Sequence, residues 1–253
     1  MSLLERPPLQ RDGFPNVGPS ESSHDFSVQV AGIAALAEPL RHALYRFVVA
    51  QSEPVSREQA AEAVGVAVHV AKFHLDRLVN DGLLDFEYRR PPDRRGPGAG
   101  RPSKVYRRST HEFAVSLPER RYELAAQLLA QAVTDAVRDG APPAQALRRA
   151  ARKAGRSLGE MIYEHASSQP ERPELREAVI RILEENGYEP RSELGGVLLI
   201  NCPFRSLARD YTELVCGTNL DLLRGLLARV GGAKLEAKLD PGADRCCVRL
   251  QDK

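Results

Sequence analysis

The chain has 253 residues, 42% of them hydrophobic and 28% charged, with a formal net charge of +2 and only four cysteines. That is enough chain for two modest domains with cores of their own, and no apolar run is long enough to cross a bilayer, which excludes a helical membrane protein. The near-neutral balance singles out no class of partner, and the opening "MSLLERPPLQRDGFPNVGPSESSHD" lacks the charged-then-apolar pattern of a signal peptide, so a cytoplasmic protein is expected, with cysteines as thiols or ligands rather than structural disulfides.

Residues 1–26 are rich in Pro, Ser, Gly and charge without periodicity and read as a mobile tail. Helical spacing then begins: Ile33, Leu36, Leu40, Leu44 and Phe47 recur three or four apart, and Pro39 suits the first turn of the main helix. Ser56 and Gln59 have capping-box spacing for a short helix that Gly65 ends. A further helix, roughly 67–80, turns Val70, His74, Leu75 and Leu78 inward and stops at Gly82. The period then switches to two, with Leu84, Phe86 and Tyr88 alternating with Asp85, Glu87 and Arg89, and "KVYRR" returns after the loop "RRPPDRRGPGAGRPS". Helix, short helix, turn, helix, basic hairpin is the order of a winged helix-turn-helix, placed at 27–112.

From Ser116, "SLPE" offers a cap, a first-turn proline and a closing Glu for a helix around 119–138. Its small-residue stripe, Tyr122, Ala125, Leu129, Ala132 and Ala136, permits close approach of a second helix and makes it the candidate dimer element. Helices at 143–165 and 174–186 follow, then a buried strand in "GVLLI", a helix at 213–230 and strands near 233–239 and 245–250 around "DPGAD". The expected fold is therefore mainly α with an α+β C-terminal domain: an N-terminal winged helix-turn-helix, then a dimerisation and sensor domain over 113–253 with a small antiparallel sheet.

Between Arg89 and Arg108, eight basic residues face a single acid, Asp93, the footprint of a phosphate-contacting element. The early residues of the second helix in such a motif meet base edges, which here are Val68, His69, Ala71 and Lys72. Only His69 and Lys72 among them bring strong donors, so much of the affinity should come from Arg90, Arg94, Arg95, Arg101 and Lys104 on the wing, with strong salt dependence. The partner implied is a double-stranded DNA operator.

The cysteines fall in two pairs, Cys202 and Cys216, then Cys246 and Cys247. Cys202 follows a strand on the face of Leu198 and Ile200, Cys216 lies near a helix start, where a thiol pKa falls, and Cys246 points with Val248 and Leu250. Cys202, Cys216 and Cys246 are thus the three convergent candidates, with Cys247 extra. Thiolates suit an iron–sulfur cluster or, less well here, zinc. Buried structural cysteines with no cofactor are the competing reading. Asn201, Asp210 and His165 are the residues to consider for a fourth ligand.

"LAEPLRHALYRFV" resembles the opening helix of ArsR-type regulators, and "AKFHLDRLVNDGLLDFEYRR" with "GPGAGRPSKVYRR" resembles the winged helix of the Suf-operon (iron–sulfur assembly) repressors. "SLPERRYELAAQLLAQA" and "NCPF…ELVCGTNLDLLRGLL…LDPGADRCCVRL" extend the likeness through the C-terminal domain. The chain departs from that pattern at Val68 and His69, where relatives carry Ser and Arg. The resemblance implies a homodimeric transcriptional regulator, a repressor in type, with three cysteines matching Cys202, Cys216 and Cys246 around an iron–sulfur cluster. Two rivals stay open: the same regulator with an organic effector in a dry apolar pocket, and a thiol-dependent enzyme fused to a DNA-binding module. No nucleophile elbow, P-loop or GxGxxG is present, so no enzyme is expected.

Overall fold

The computed structural model describes residues 23–89, 102–164 and 172–253. Over them the protein is mainly helical with two small antiparallel sheets. The chain divides into two compact units, Ser22–Val115 and, from Ser116, the remainder to Lys253. No helix among the described residues is long and apolar enough to cross a membrane.

The first unit begins with α1 (Ser23–Ala35) and α2 (Pro39–Val49). Ser23–Phe26, expected in the tail, are helical; the rest of that tail lies outside the described residues. Helical spacing from Ile33 to Phe47 runs across a true break, because Glu38 caps α2: its carboxylate accepts from the Leu40 and Arg41 amides at 3.1 and 2.7 Å, with Pro39 at the first position. The Arg41 amide bond is the main influence that lowers the Glu38 pKa below its ordinary 4.5, against desolvation and with help from the Leu40 amide, His74 and Arg41 charge. The folded carboxyl therefore holds its proton less readily than the unfolded one. Its stabilisation is complete above pH 4.5 and fades as pH falls through the lowered value. Glu38→Ala is expected to cost about 1 kcal/mol at neutral pH and to remove part of the loss of stability on acidification, read by hydrogen exchange across α2 at both pH values.

After β1 (Val55–Ser56) come α3 (Arg57–Val64) and α4 (Val68–Asn80), then a hairpin of β2 (Leu84–Arg89) and β3 (Ser103–Arg108). The capping box is complete: Ser56 Oγ accepts from the Gln59 amide and Gln59 Oε1 accepts from the Ser56 amide. Gly65 closes α3 at φ 75°, a left-handed turn that favours glycine. Strand β1, too short to leave a period in the sequence, pairs with β3, giving the order β1-β3-β2. Leu44, Val48, Ala60, Ala71, Leu75, Leu78, Leu84 and Tyr106 form the core.

The second unit comprises α5 (Tyr122–Asp139), α6 (Pro143–Glu164), α7 (Arg172–Glu185), β4 (Pro190–Glu193), β5 (Gly196–Leu199), α8 (Arg205–Asp210), α9 (Thr212–Arg229), β6 (Leu235–Leu239) and β7 (Val248–Asp252). Its sheet runs β4-β5-β7-β6, antiparallel throughout. The expected "SLPE" cap does not form: α5 starts at Tyr122 without a side-chain cap, and Ser116 Oγ donates to Pro118 O. Strand β4 and helix α8 went unread in the sequence, both being short and polar.

Helices α6 and α9 make the unit's centre. The α6 face is built of Ala146, Ala150, Ala151 and Ala154, all buried, and α9 is buried nearly all round from Asn219 to Leu227. Small residues let the two backbones meet: a Cβ on Gly155 would lie 1.9 Å from Leu222 O, and one on Gly225 2.3 Å from Arg152 O. Asp221 is buried here and accepts from Arg152 Nε at 2.8 Å.

Candidate functional site

Two regions bring predicted residues together, one in each unit. In the first, the amino-terminal half of α4 exposes Val68, His69, Lys72 and Phe73, the last 69% accessible. Ala71 departs from expectation: it is fully buried, because it lies on the same helix face as Leu75 and Leu78 and packs into the core. Phe73 takes its place on the open side.

On the hairpin, Phe86 and Tyr88 share a face with Lys104 and Tyr106 through the register Phe86↔Tyr106 and Tyr88↔Lys104. Leu84 on that face is buried, whereas Phe86 and Tyr88 are exposed and meet edge to face at 5.8 Å. Lys104, expected to reach phosphate, is instead bonded to Asp76 Oδ1 and lies 4.2 Å from the Phe86 ring centroid. Tyr106 OH donates to the same Asp76 oxygen at 3.0 Å, so Asp76 ties the hairpin to α4. Arg90, Arg94, Arg95 and Arg101 lie outside the described residues.

In the second unit all four cysteines come together. Each thiol acts on the pKa of a neighbouring one, Cys202 with Cys246, Cys246 with Cys247 and Cys247 with Cys216, so the four free thiols form one connected group. Local structure places each one. Cys202 is buried in the turn after β5, not by strand alternation; the inward residues of β5 are Val197 and Leu199, one position out of step with the expected Leu198 face. Cys246 and Cys247 precede β7, which starts at Val248; Cys246 is 2% exposed and Cys247 is half-buried. Cys216 is the fifth residue of α9, one turn past the helix start.

That position removes the expected fall in the Cys216 pKa. Burial pushes this thiol up, with the hydrogen bond to Cys247 opposing. The bond to Cys246 and burial also raise Cys202 strongly. For Cys246 the bond from Cys202 acts downward, but the bond to Cys247 and burial prevail and the thiol is pushed up to about 12. All three shifts favour the protonated thiol, so a metal would have to displace protons to bind there.

A buried polar chain supports the thiols. Tyr188 OH donates to Asn219 Oδ1 at 2.6 Å, and Asn219 Nδ2 donates to Cys246 Sγ at 3.2 Å. Asn201, considered as a ligand, is engaged otherwise: its Oδ1 accepts from Arg120 at 2.6 Å and its Nδ2 donates to the Glu119 and Gly187 carbonyls. Asp210 pairs with Arg209, and His165 lies outside the described residues.

The thiols face an open cavity of about 480 Å³, whose wall includes Cys202, Cys216 and Cys247 together with Arg120, Arg205, Arg209 and Arg245. Cys247, the cysteine set aside in the sequence, thus reaches the cavity, while Cys246 sits behind it. The arginines and Asn219 were missed as well. The available signal for Asn219 was a polar residue on the core stripe of an otherwise leucine-rich helix; the arginines are scattered over three segments and carry none. Among the described residues no group of three or more His, Cys, Asp or Glu side chains is arranged to hold a metal ion. No protein-family model, curated protein or solved structure matches this chain.

Proposed function

We propose that this chain is a homodimeric, DNA-binding transcriptional regulator of winged helix-turn-helix type, a repressor, whose second unit answers to redox or iron–sulfur status through its cysteines. The observation that carries the sensing part is the meeting of four thiols from three separate stretches of sequence in one connected group, three of them on a cavity wall. The donor chemistry suits an iron–sulfur cluster: thiolates hold its irons at separate points, so a string of sulfurs serves it better than it serves a single ion. Cys202 and Cys216, with Cys246 or Cys247, would hold such a group. When bound it would supply reversible electron uptake and loss, and its occupancy would follow the supply of iron. The chain's own residues position the sulfurs: Asn219 fixes Cys246, and the Asn201–Arg120 contact fixes the turn that carries Cys202.

DNA binding is supported by the order of α3, α4 and the β2–β3 hairpin, by the open face of Val68, His69, Lys72 and Phe73, and by the basic run from Arg89 to Arg108. Self-association is supported by α5, where Leu129, Val133 and Val137 stand exposed at four-residue spacing, 42, 60 and 82% accessible. The exposed line passes through Leu129 but runs on the valine side of the expected alanine stripe.

The experiment that tests the sensing reading is the visible spectrum of anaerobically purified and reconstituted protein, with iron, sulfide and zinc assayed together. Cluster absorbance with iron and sulfide is expected, lost in Cys202→Ser and Cys216→Ser. Protein that stays colourless and iron-free after reconstitution would remove the cluster. For the DNA reading, replacing Arg94, Arg95 and Arg101 together by Ala is expected to flatten the slope of log affinity against log salt by up to about 3. An unchanged slope in a folded variant would remove the wing from the interface.

A further inference from the structure

The thiols account for only part of the cavity they face. Four guanidiniums, Arg120, Arg205, Arg209 and Arg245, and the hydroxyls of Tyr122 and Ser206 share its wall with a single carboxylate, Asp244. These cations come from three separate segments: the stretch before α5, helix α8, and the β6–β7 connection. Three of them are paired with acids, Arg205 with Asp244, the wall's own carboxylate, at 3.0 Å, Arg209 with Asp210 at 3.2 Å and Arg245 with Asp240 at 3.0 Å.

Arg120 is different. Its Nη1 donates to Asn201 Oδ1 at 2.6 Å and to the Cys202 carbonyl at 2.9 Å, both neutral acceptors. Those bonds fix the guanidinium in place without cancelling its charge, and a guanidinium has five N–H donors in a fixed fork. An arginine held this way is preorganised for a carboxylate or phosphate, which it can grip with two parallel bonds. The depth of the wall is graded as well: Arg209 and Arg205 are 78% and 49% exposed, Arg245 only 25%. The cavity volume, about 480 Å³, is that of a small-molecule site rather than an ion site. This is not the dry apolar pocket expected for an organic effector; its wall selects for charge.

We propose that this cavity binds a small organic anion carrying at least two carboxylate or phosphate groups, with Arg120 as the inner contact and Arg205 and Arg209 at the rim. One charged group meets Arg120 and the one hydroxyl proton that the Tyr122–Ser206 hydrogen bond leaves free. A second meets the arginines of α8, and the ligand thereby ties α8 to the stretch before α5 beside the thiols. The inference stands whether or not the thiols hold a cluster.

Titration calorimetry on metal-free, full-length protein tests it, with citrate and inorganic pyrophosphate as probes and sulfate at matched ionic strength for comparison. One probe is expected to bind once per chain at least about tenfold more tightly than sulfate; citrate ahead assigns the site to carboxylates, pyrophosphate ahead to phosphates. Arg209→Gln is expected to weaken that probe about tenfold, the loss of a charge-assisted contact. Because Arg209 is exposed on its helix, this variant retains the fold, which circular dichroism checks. Arg120→Gln should weaken binding further, and Arg224→Gln, exposed on α9 and not on the cavity wall, should leave affinity within about twofold. Binding no tighter than sulfate for both probes, or affinity unchanged in both Arg205→Gln and Arg209→Gln, would overturn the proposal.

Discussion

Gly225→Val is expected to destabilise the second unit by about 3 kcal/mol or more, at the upper end of overpacking costs. A Cβ at this position would lie 2.3 Å from the Arg152 carbonyl oxygen and 2.9 Å from its carbonyl carbon and Cα. All three obstacles are backbone, so no side-chain rotation relieves the clash; helices α6 and α9 must part. Parting them opens contacts along the alanine face of α6 and stretches the Arg152–Asp221 ion pair, whose carboxylate side chain is only 8% exposed. A buried charge that loses its partner adds its own desolvation cost. Net stabilities of about 5–15 kcal/mol make such a loss a large fraction of the whole. Gly217 gives the control on the same helix: a Cβ there meets nothing within 4 Å. Gly217→Ala is therefore expected to be neutral or to stabilise by up to about 1 kcal/mol, since alanine replaces glycine in a helix interior. Urea unfolding followed by circular dichroism, with hydrogen exchange on α6 and α9, reads both variants. Gly225→Val within about 0.5 kcal/mol of the parent would mean that the crossing has room to relax.

Long elements were legible because their signals are redundant. The box at Ser56 and Gln59, the glycine at 65 and the three-four spacing of Leu75 and Leu78 all point to the same two helices. Elements set by tertiary contact were not. Strand β1 is two residues long and exists because β3 lies beside it, and β4 has one partly covered residue and three exposed ones. At Ala71, a place early in the second helix points to a base edge, whereas the period shared with Leu75 and Leu78 points inward, and the core takes it because a small side chain allows close packing. At Lys104, charge pointed outward in the sequence, yet Asp76 sits 28 residues away where no local pattern records it.

The candidate site shows the same division. Pairing the cysteines by motif gathered the chemistry, but alternation failed at Cys202 because β5 ends at Leu199 and a turn, not the pleat, sets the thiol's direction. At the other pair alternation held even ahead of β7: Cys246 is buried with Val248 and Leu250, while Cys247 and Arg249 are partly exposed. Arg120, Arg205 and Arg245 converge only after the sheet and α8 are in place, so the cavity's charge is a property of the fold rather than of any segment.

Asn219→Leu is expected to destabilise the second unit by about 2–4 kcal/mol and to loosen the thiol string at the same time. Leucine shares asparagine's branching and is larger, so no void opens and the loss comes from polar partners left alone together with some overpacking. Tyr188 OH, which donates to Asn219 Oδ1, is completely buried and would have no acceptor there, at about 1–3 kcal/mol for an unsatisfied buried group. Cys246 would lose the amide that holds its sulfur. Tyr188→Phe removes the donor instead of the acceptor and should cost about 1–2 kcal/mol. The two changes act on one hydrogen bond, so the double variant should cost less than the sum of the singles by about 1 kcal/mol or more. Strict additivity would mean that the Tyr188–Asn219 bond contributes nothing in solution. Alkylation distinguishes the second effect: Cys246 is 2% exposed in the parent fold and should react with a maleimide faster in Asn219→Leu than in Tyr188→Phe, even when the two are compared at equal stability in urea. Equal rates under that condition would leave Asn219 as a packing residue only. Faster labelling of Asn219→Leu would make it the residue that positions the central thiol of the string.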